Sequence, residues 1–149
     1  MRKNKGFTLV ELVVVVMILG ILAAVAAPKL LGTSSAAADN GLKQTLAVVR
    51  DAIERYAAEN AGALPGELQT QADFTNDLKD FLRGTFPVCP VGNKNNQVKF
   101  TPGAAVDLTL EAISGTQSWH YNKNNGQFIC NSNAQTNSDD DGTTTYNQL

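Results

Sequence analysis

The first part of the chain is almost continuously apolar. Only Thr8 and Glu11 interrupt the apolar run over residues 7–27, and no polar side chain occurs over residues 12–27. About 20 apolar residues are enough for a helix to cross the hydrocarbon core of a bilayer. The pattern therefore predicts a membrane-spanning helix over residues 7–31.

Two residues weaken this predicted helix from within. Pro28 lacks a backbone N–H and clashes with the carbonyl four residues earlier, so we expect a kink there. Gly20 is a second weak point, because glycine costs about 1 kcal/mol in a helix interior. Membrane helices tolerate both residues, so the pattern leaves open whether either position has a functional consequence.

From Asp39 onward the apolar positions recur with the period of an amphipathic helix. Gly62 and Pro65 then provide stop signals. The pattern predicts a helix over residues 32–62, whose apolar face packs against the rest of the chain. The residues expected on that face are Leu42, Leu46, Val49, Ile53 and Tyr56.

The remaining sequence predicts a small head over residues 63–130. A short helix is expected over residues 73–83, and Asn125-Gly126 indicates a hairpin turn. The expected strands, which would form an antiparallel sheet, are residues 97–101, 106–113, 118–122 and 127–130. The predicted fold class is therefore α+β: a long N-terminal helix, with a membrane-spanning half and an amphipathic half, packed on a small antiparallel β-sheet. Residues 131–149 are mainly polar, and we expect a loose C-terminal tail.

Charge places constraints on location and partners. Three basic residues, Arg2, Lys3 and Lys5, precede the apolar run, which favours a cytoplasmic N-terminus and an exported head. The net charge is −2, so no basic surface for nucleic acid is expected. An alternative is a secretory signal peptide that is removed at an Ala-x-Ala-like site before Pro28.

Few residues are candidates for chemistry. Cys89 and Cys130 are the only two cysteines, and export would place them where disulfides persist. Either one bridge or two free buried thiols is compatible with the sequence. His120 has no second histidine with which to share a metal, and we expect it to be a surface side chain. The spacing of Asp139, Asp140 and Asp141 does not match an EF-hand loop. We therefore predict no active site, no metal and no cofactor.

Residues 5–12, Lys-Gly-Phe-Thr-Leu-Val-Glu-Leu, followed by the apolar run, resemble the processing signal of type IV prepilins and type II secretion pseudopilins. The resemblance implies cleavage between Gly6 and Phe7 by a membrane prepilin peptidase, followed by N-methylation of the Phe7 amine. Residues 1–6 would then be a leader peptide. Glu11 lies where this family has the glutamate that pairs with the amine of an adjacent subunit. Gly20 and Pro28 also match family positions, and the resemblance implies that the helix between them can unwind in filaments.

The resemblance implies a structural subunit, not an enzyme, which polymerises into a type IV pilus or a type II secretion pseudopilus. Its expected partners are identical or related pilin subunits, the prepilin peptidase, an inner-membrane assembly platform and membrane lipid. The expected location is the inner membrane, with a periplasmic or extracellular head. The alternative is a membrane-anchored exported binding domain that does not polymerise. Pilins often have a disulfide near the C-terminus, but the head lacks the aspartate-glycine calcium loop of major pseudopilins.

Overall fold

The computed structural model describes residues 7–103, 106–136 and 143–149, and for residues 30–34 it describes the backbone alone. The leader with Gly6 and the acidic run Asp139–Asp141 lie outside the described residues. The chain divides into two compact units, one ending at Ser35 and the other comprising Ala36–Leu149. The second unit, called the head below, contains the sheet and the buried core.

The first helix, α1, runs through both units as one element, Leu9–Glu59. It continues through Gly20 and Pro28, so the kink expected from these residues stays a prediction. Within the head the helix is amphipathic as predicted, since one side chain per turn is fully buried or nearly so while the opposite face is exposed. The buried positions of this face are Leu42, Leu46, Val49 and Ile53.

The second helix, α2, is shorter than predicted and occupies Gln71–Leu78. Thr70 begins it, because the Thr70 hydroxyl accepts a hydrogen bond from the Asp73 N–H at 3.2 Å. Phe74 and Leu78, one turn apart, are fully buried. The Phe74 ring lies at the centre of the aromatic core. Its centroid is within 6.2 Å of the ring centroids of Phe86, Phe100, Tyr121 and Phe128.

Three short strands form the sheet in the order β1–β2–β3: β1 is Val98–Phe100, β2 is Trp119–Asn122 and β3 is Gln127–Cys130. The α+β class and the β2–β3 hairpin are confirmed. The expectation of a wholly antiparallel sheet is wrong, because β1 and β2 pair in parallel and the sheet is mixed. The connection over residues 101–118 is long enough for the crossover that a parallel pair requires, about a dozen residues.

The strand predicted over residues 106–113 does not form; Leu108–Leu110 is instead a short 3₁₀ helix. In this segment, backbone N–H groups donate to side chains and not to a neighbouring strand. The Asp107 carboxylate accepts a hydrogen bond from the Thr109 N–H at 3.0 Å, and the Leu108 N–H donates to the Gln127 side chain at 2.7 Å. Leu108 is buried, whereas Leu110 is 85% exposed.

The expectation of a loose tail is wrong for residues 143–149. Tyr146–Gln148 form a second 3₁₀ helix, and the buried Tyr146 hydroxyl donates to the Asp39 carboxylate on α1 at 2.7 Å. Arg50, also on α1, donates to the backbone carbonyls of Phe128 and Leu149 at 3.0 and 2.8 Å. These contacts attach the last described residues to the helix.

Candidate assembly and processing site

The residues that precede and begin α1 form a reciprocal hydrogen-bonded cap. The backbone N–H and the hydroxyl of Thr8 donate to Oε2 of Glu11 at 2.9 and 2.8 Å, and the Glu11 N–H donates back to the Thr8 hydroxyl at 3.2 Å. This is the capping box of a Thr-x-x-Glu sequence, which satisfies backbone donors that a helix start leaves free. Glu11 therefore has a local role in its own chain.

Both bonds to the Glu11 carboxylate end on Oε2. No hydrogen bond reaches Oε1 from the residues that the structure describes. The cap therefore uses one of the two carboxylate oxygens of Glu11. Thr8 is the residue that the sequence analysis missed in this site, although the Thr-x-x-Glu spacing is a recognisable helix-start signal.

Phe7, the expected first residue after cleavage, is 79% exposed and directly precedes Thr8. The helix behind it presents apolar side chains on every side, with none buried over Leu9–Lys29. That segment is the one helix among the described residues that is long and apolar enough to cross a membrane. Such a helix can bury its surface only in lipid or against other apolar helices.

The other candidate residues belong to other segments of the chain. Gly20 lies in the apolar segment, and a Cβ atom added there would have no neighbour within 4 Å. Cys89 and Cys130 are buried together in the head. Their Sγ atoms are 3.7 Å apart, and no disulfide joins them. The expectation of a surface His120 is wrong: the side chain is buried in β2, where its Nε2 atom lies 2.7 Å from the Thr101 hydroxyl.

A family model described as the prokaryotic N-terminal methylation motif matches residues 1–27. This motif and the exposed apolar helix Leu9–Lys29 support the resemblance to type IV pilin-like proteins that residues 5–12 carry. The chain and its apolar helix fit a protein anchored in the inner membrane.

Curated relatives narrow the resemblance to the pseudopilins. The chain is 41% identical over 61 residues to type II secretion system core protein G of Vibrio cholerae, covering 41% of this chain and 42% of the relative. It is 34% identical over 61 residues to the protein of that name from Klebsiella pneumoniae, covering 41% of this chain and 44% of the relative. The match thus spans less than half of each relative's length. No solved structure matches the chain.

Proposed function

We propose that this chain is a structural pseudopilin subunit of a type II secretion system. A prepilin peptidase would cleave it between Gly6 and Phe7 and methylate the Phe7 amine, and α1 would then polymerise with pilin-like subunits on an inner-membrane platform. The head would face the periplasm. The match of the methylation motif to residues 1–27 is the observation that carries the proposal, and the relatives favour a secretion pseudopilus over an adhesive pilus.

The arrangement of Glu11 supports a role in assembly. A carboxylate at the start of an apolar span costs free energy unless it is paired or lies near the interface. The Oε1 atom, to which no described residue donates, can accept a hydrogen bond from the cationic Phe7 amine of a neighbouring subunit without opening the Thr8 cap. Breaking such a buried pair costs about 3–5 kcal/mol, because it leaves an unpaired charge in the filament core.

Variants at Glu11 test this proposal. We expect Glu11→Val to enter the membrane normally, since it removes a desolvated charge, but to give no filaments. Glu11→Gln keeps the shape and a hydrogen-bond acceptor, so partial assembly is expected. The measurement is the yield of shear-released filaments, with the membrane-bound subunit quantified in the same cells.

Thr8→Val is the matched control, because it removes the hydroxyl of the cap and keeps the Glu11 carboxylate. If pairing with a neighbour drives assembly, Thr8→Val retains far more filament than Glu11→Val. Equal losses in the two variants would assign Glu11 to helix capping alone. Wild-type filament yield from Glu11→Val would contradict the pairing account. A wild-type chain that gives no filaments would instead favour the alternative, an anchored binding domain that does not polymerise.

A further inference from the structure

A cleft in the head lies between α2 and the segment that leads into β1. Its volume is about 500 Å³, which is within the range of pockets that hold ligands. One face of α2 contributes Gln71, Thr75 and Lys79, which follow one another at the four-residue spacing of a helix face. Asn96 and Gln97, just before β1, also line the cleft, and both are exposed. The cleft therefore borders the accessible start of β1.

The side chain of Gln71 occupies the outer edge of β1, the first strand in the sheet order. Its Oε1 atom accepts a hydrogen bond from the Val98 N–H at 2.7 Å, and its Nε2 group donates to the Asn96 carbonyl at 3.0 Å. The carbonyl of the residue between them, Gln97, instead accepts from the Trp119 N–H of β2 at 3.0 Å. One residue of a parallel strand would make the same two bonds as the Gln71 carboxamide. Gln71 therefore substitutes for a strand neighbour.

Lys79 is the only charged residue among the described residues that line the cleft. Its ammonium group donates to the Asn76 carboxamide at 3.2 Å and forms no ion pair with the described part of the chain. The carboxylates of Asp73 and Asp77, on the same helix, instead accept hydrogen bonds from backbone N–H groups of the loop before α2, both at 2.8 Å. The cleft is therefore complementary in charge to a ligand that carries a carboxylate.

We propose that this cleft binds a short extended segment of another polypeptide that carries an acidic side chain. The backbone of the segment replaces the Gln71 carboxamide at the Val98 N–H and the Asn96 carbonyl, as in recognition by strand addition. The acidic side chain of the segment pairs with Lys79. This site needs neither cleavage after Gly6 nor filament formation, so its failure would leave the proposed function intact.

A different protein fits this edge better than a second copy of the chain does. Lys99 is the central residue of β1. Antiparallel pairing of β1 with β1 of a second copy would place the two Lys99 side chains opposite each other, and like charges directly opposite are destabilising. Gln71 also satisfies the edge in the free protein, as natural sheets require of an exposed edge strand. A bound segment therefore has to displace Gln71.

Peptide binding tests the proposal with the full chain, purified in detergent. The probe is the fluorescein-labelled peptide Thr-Val-Thr-Glu-Thr-Val-Thr, and fluorescence anisotropy measures its Kd. We expect saturable binding that is about two- to fivefold tighter than for the same peptide with Gln in place of Glu, the range for an exposed ion pair. A version of the Glu peptide that is N-methylated at every backbone nitrogen should not bind, because it lacks a donor for the Asn96 carbonyl.

Variants of the head separate the charge from the strand edge. Lys79→Gln should weaken binding of the Glu peptide by about two- to fivefold and remove its advantage over the Gln peptide. Lys94→Gln is the matched control, since Lys94 is exposed and does not line the cleft. Gln71→Ala should bind both peptides about three- to tenfold more tightly, because the peptide no longer displaces a bonded side chain.

Four results would contradict the proposal. The first is no saturable binding to the wild type or to Gln71→Ala when both have native Trp119 fluorescence. The second is equal binding of the N-methylated peptide, which would show that the strand edge is not used. The third is an advantage of the Glu peptide that persists in Lys79→Gln. The fourth is self-association of Gln71→Ala without peptide in analytical ultracentrifugation, which would make a second copy the occupant of the edge.

Discussion

His120 illustrates the effect of burial on a titratable side chain of the head. Its side chain is 0% exposed, and in the described part of the chain its Nδ1 atom has no hydrogen-bond partner. Burial, with a smaller effect from the Lys99 charge, lowers the pKa of His120 from 6.5 to about 4, although Glu111 opposes the shift. His120 is therefore neutral at pH 7.

We expect the head to lose stability as the pH falls from about 6.5 to about 4. In this window the unfolded state binds a proton at His120 and the folded state does not, so protons favour unfolding. The shift corresponds to a loss of up to about 3 kcal/mol. Urea unfolding followed by Trp119 fluorescence across this range measures it.

The control for this prediction is His120→Gln, which keeps a polar side chain and removes the titration. Carboxylates also contribute to acid unfolding, so the informative quantity is the difference between the two pH profiles. The variant should have the shallower slope between pH 4 and 6.5. Parallel profiles would show that His120 does not titrate on unfolding.

At the scale of elements, one buried hydroxyl joins the 3₁₀ helix Tyr146–Gln148 to α1. Tyr146 is 4% exposed and Asp39 is 0% exposed, so their 2.7 Å hydrogen bond is inside the head. Hydrogen bonds to charged groups contribute more than neutral ones, and a buried acceptor that loses its donor incurs a desolvation cost. The loss of this one hydroxyl should therefore destabilise the attachment of residues 143–149 to α1.

We expect Tyr146→Phe to destabilise the head by about 1–3 kcal/mol. Amide hydrogen exchange should accelerate most over residues 143–149, which the bond attaches to α1. Tyr121→Phe is the matched control, because the buried Tyr121 hydroxyl has no hydrogen-bond partner among the described residues. Its removal should be neutral or stabilising. Equal costs for the two variants would show that the Tyr146 bond contributes nothing specific.

Local patterns predicted the elements whose partners are close in sequence. The helical period identified the buried face of α1, and Asn125-Gly126 identified the β2–β3 hairpin. The parallel pairing of β1 could not be predicted, because it depends on a crossover and not on a local turn. The alternation over residues 106–113 was misleading, since Asp107 and Gln127 occupy backbone groups that a strand would need.

The candidate sites also divide into those predicted from a local motif and those that depend on contacts between distant residues. The motif of residues 5–12 predicts Phe7 and Glu11 as site residues, and the Thr8 cap could have been recognised from the same residues. The pairing of the two thiols could only be suggested by compartment, because 41 positions separate them in sequence. Their proximity depends on how β3 and the preceding segment pack around Trp119.

At the scale of the whole molecule, the two units differ in where their apolar side chains lie. No side chain of Leu9–Lys29 is buried, whereas the buried apolar side chains of the described chain all lie within the second unit, Ala36–Leu149. The first unit therefore gains its apolar burial from outside the chain. Processing should accordingly leave this segment attached to the head.

We expect the mature protein to begin at Phe7 and to carry one methyl group on its amine. Cleavage there removes the basic residues of the leader and keeps the entire apolar helix, which an assembling subunit needs. Intact-mass measurement of membrane-extracted protein checks this. A mature chain that begins at Pro28 would instead indicate a secretory signal peptide, and an unprocessed chain would contradict peptidase cleavage.

The attachment of residues 146 and 149 to α1 also determines when the head can finish folding. These contacts join positions 107 and 99 residues apart, and parallel pairing of β1 with β2 adds another non-local contact. Folding slows as the mean sequence separation of contacts rises, because distant segments must meet before their contacts stabilise anything. A chain that emerges N-terminus first cannot make the last of these contacts until residues 143–149 have appeared.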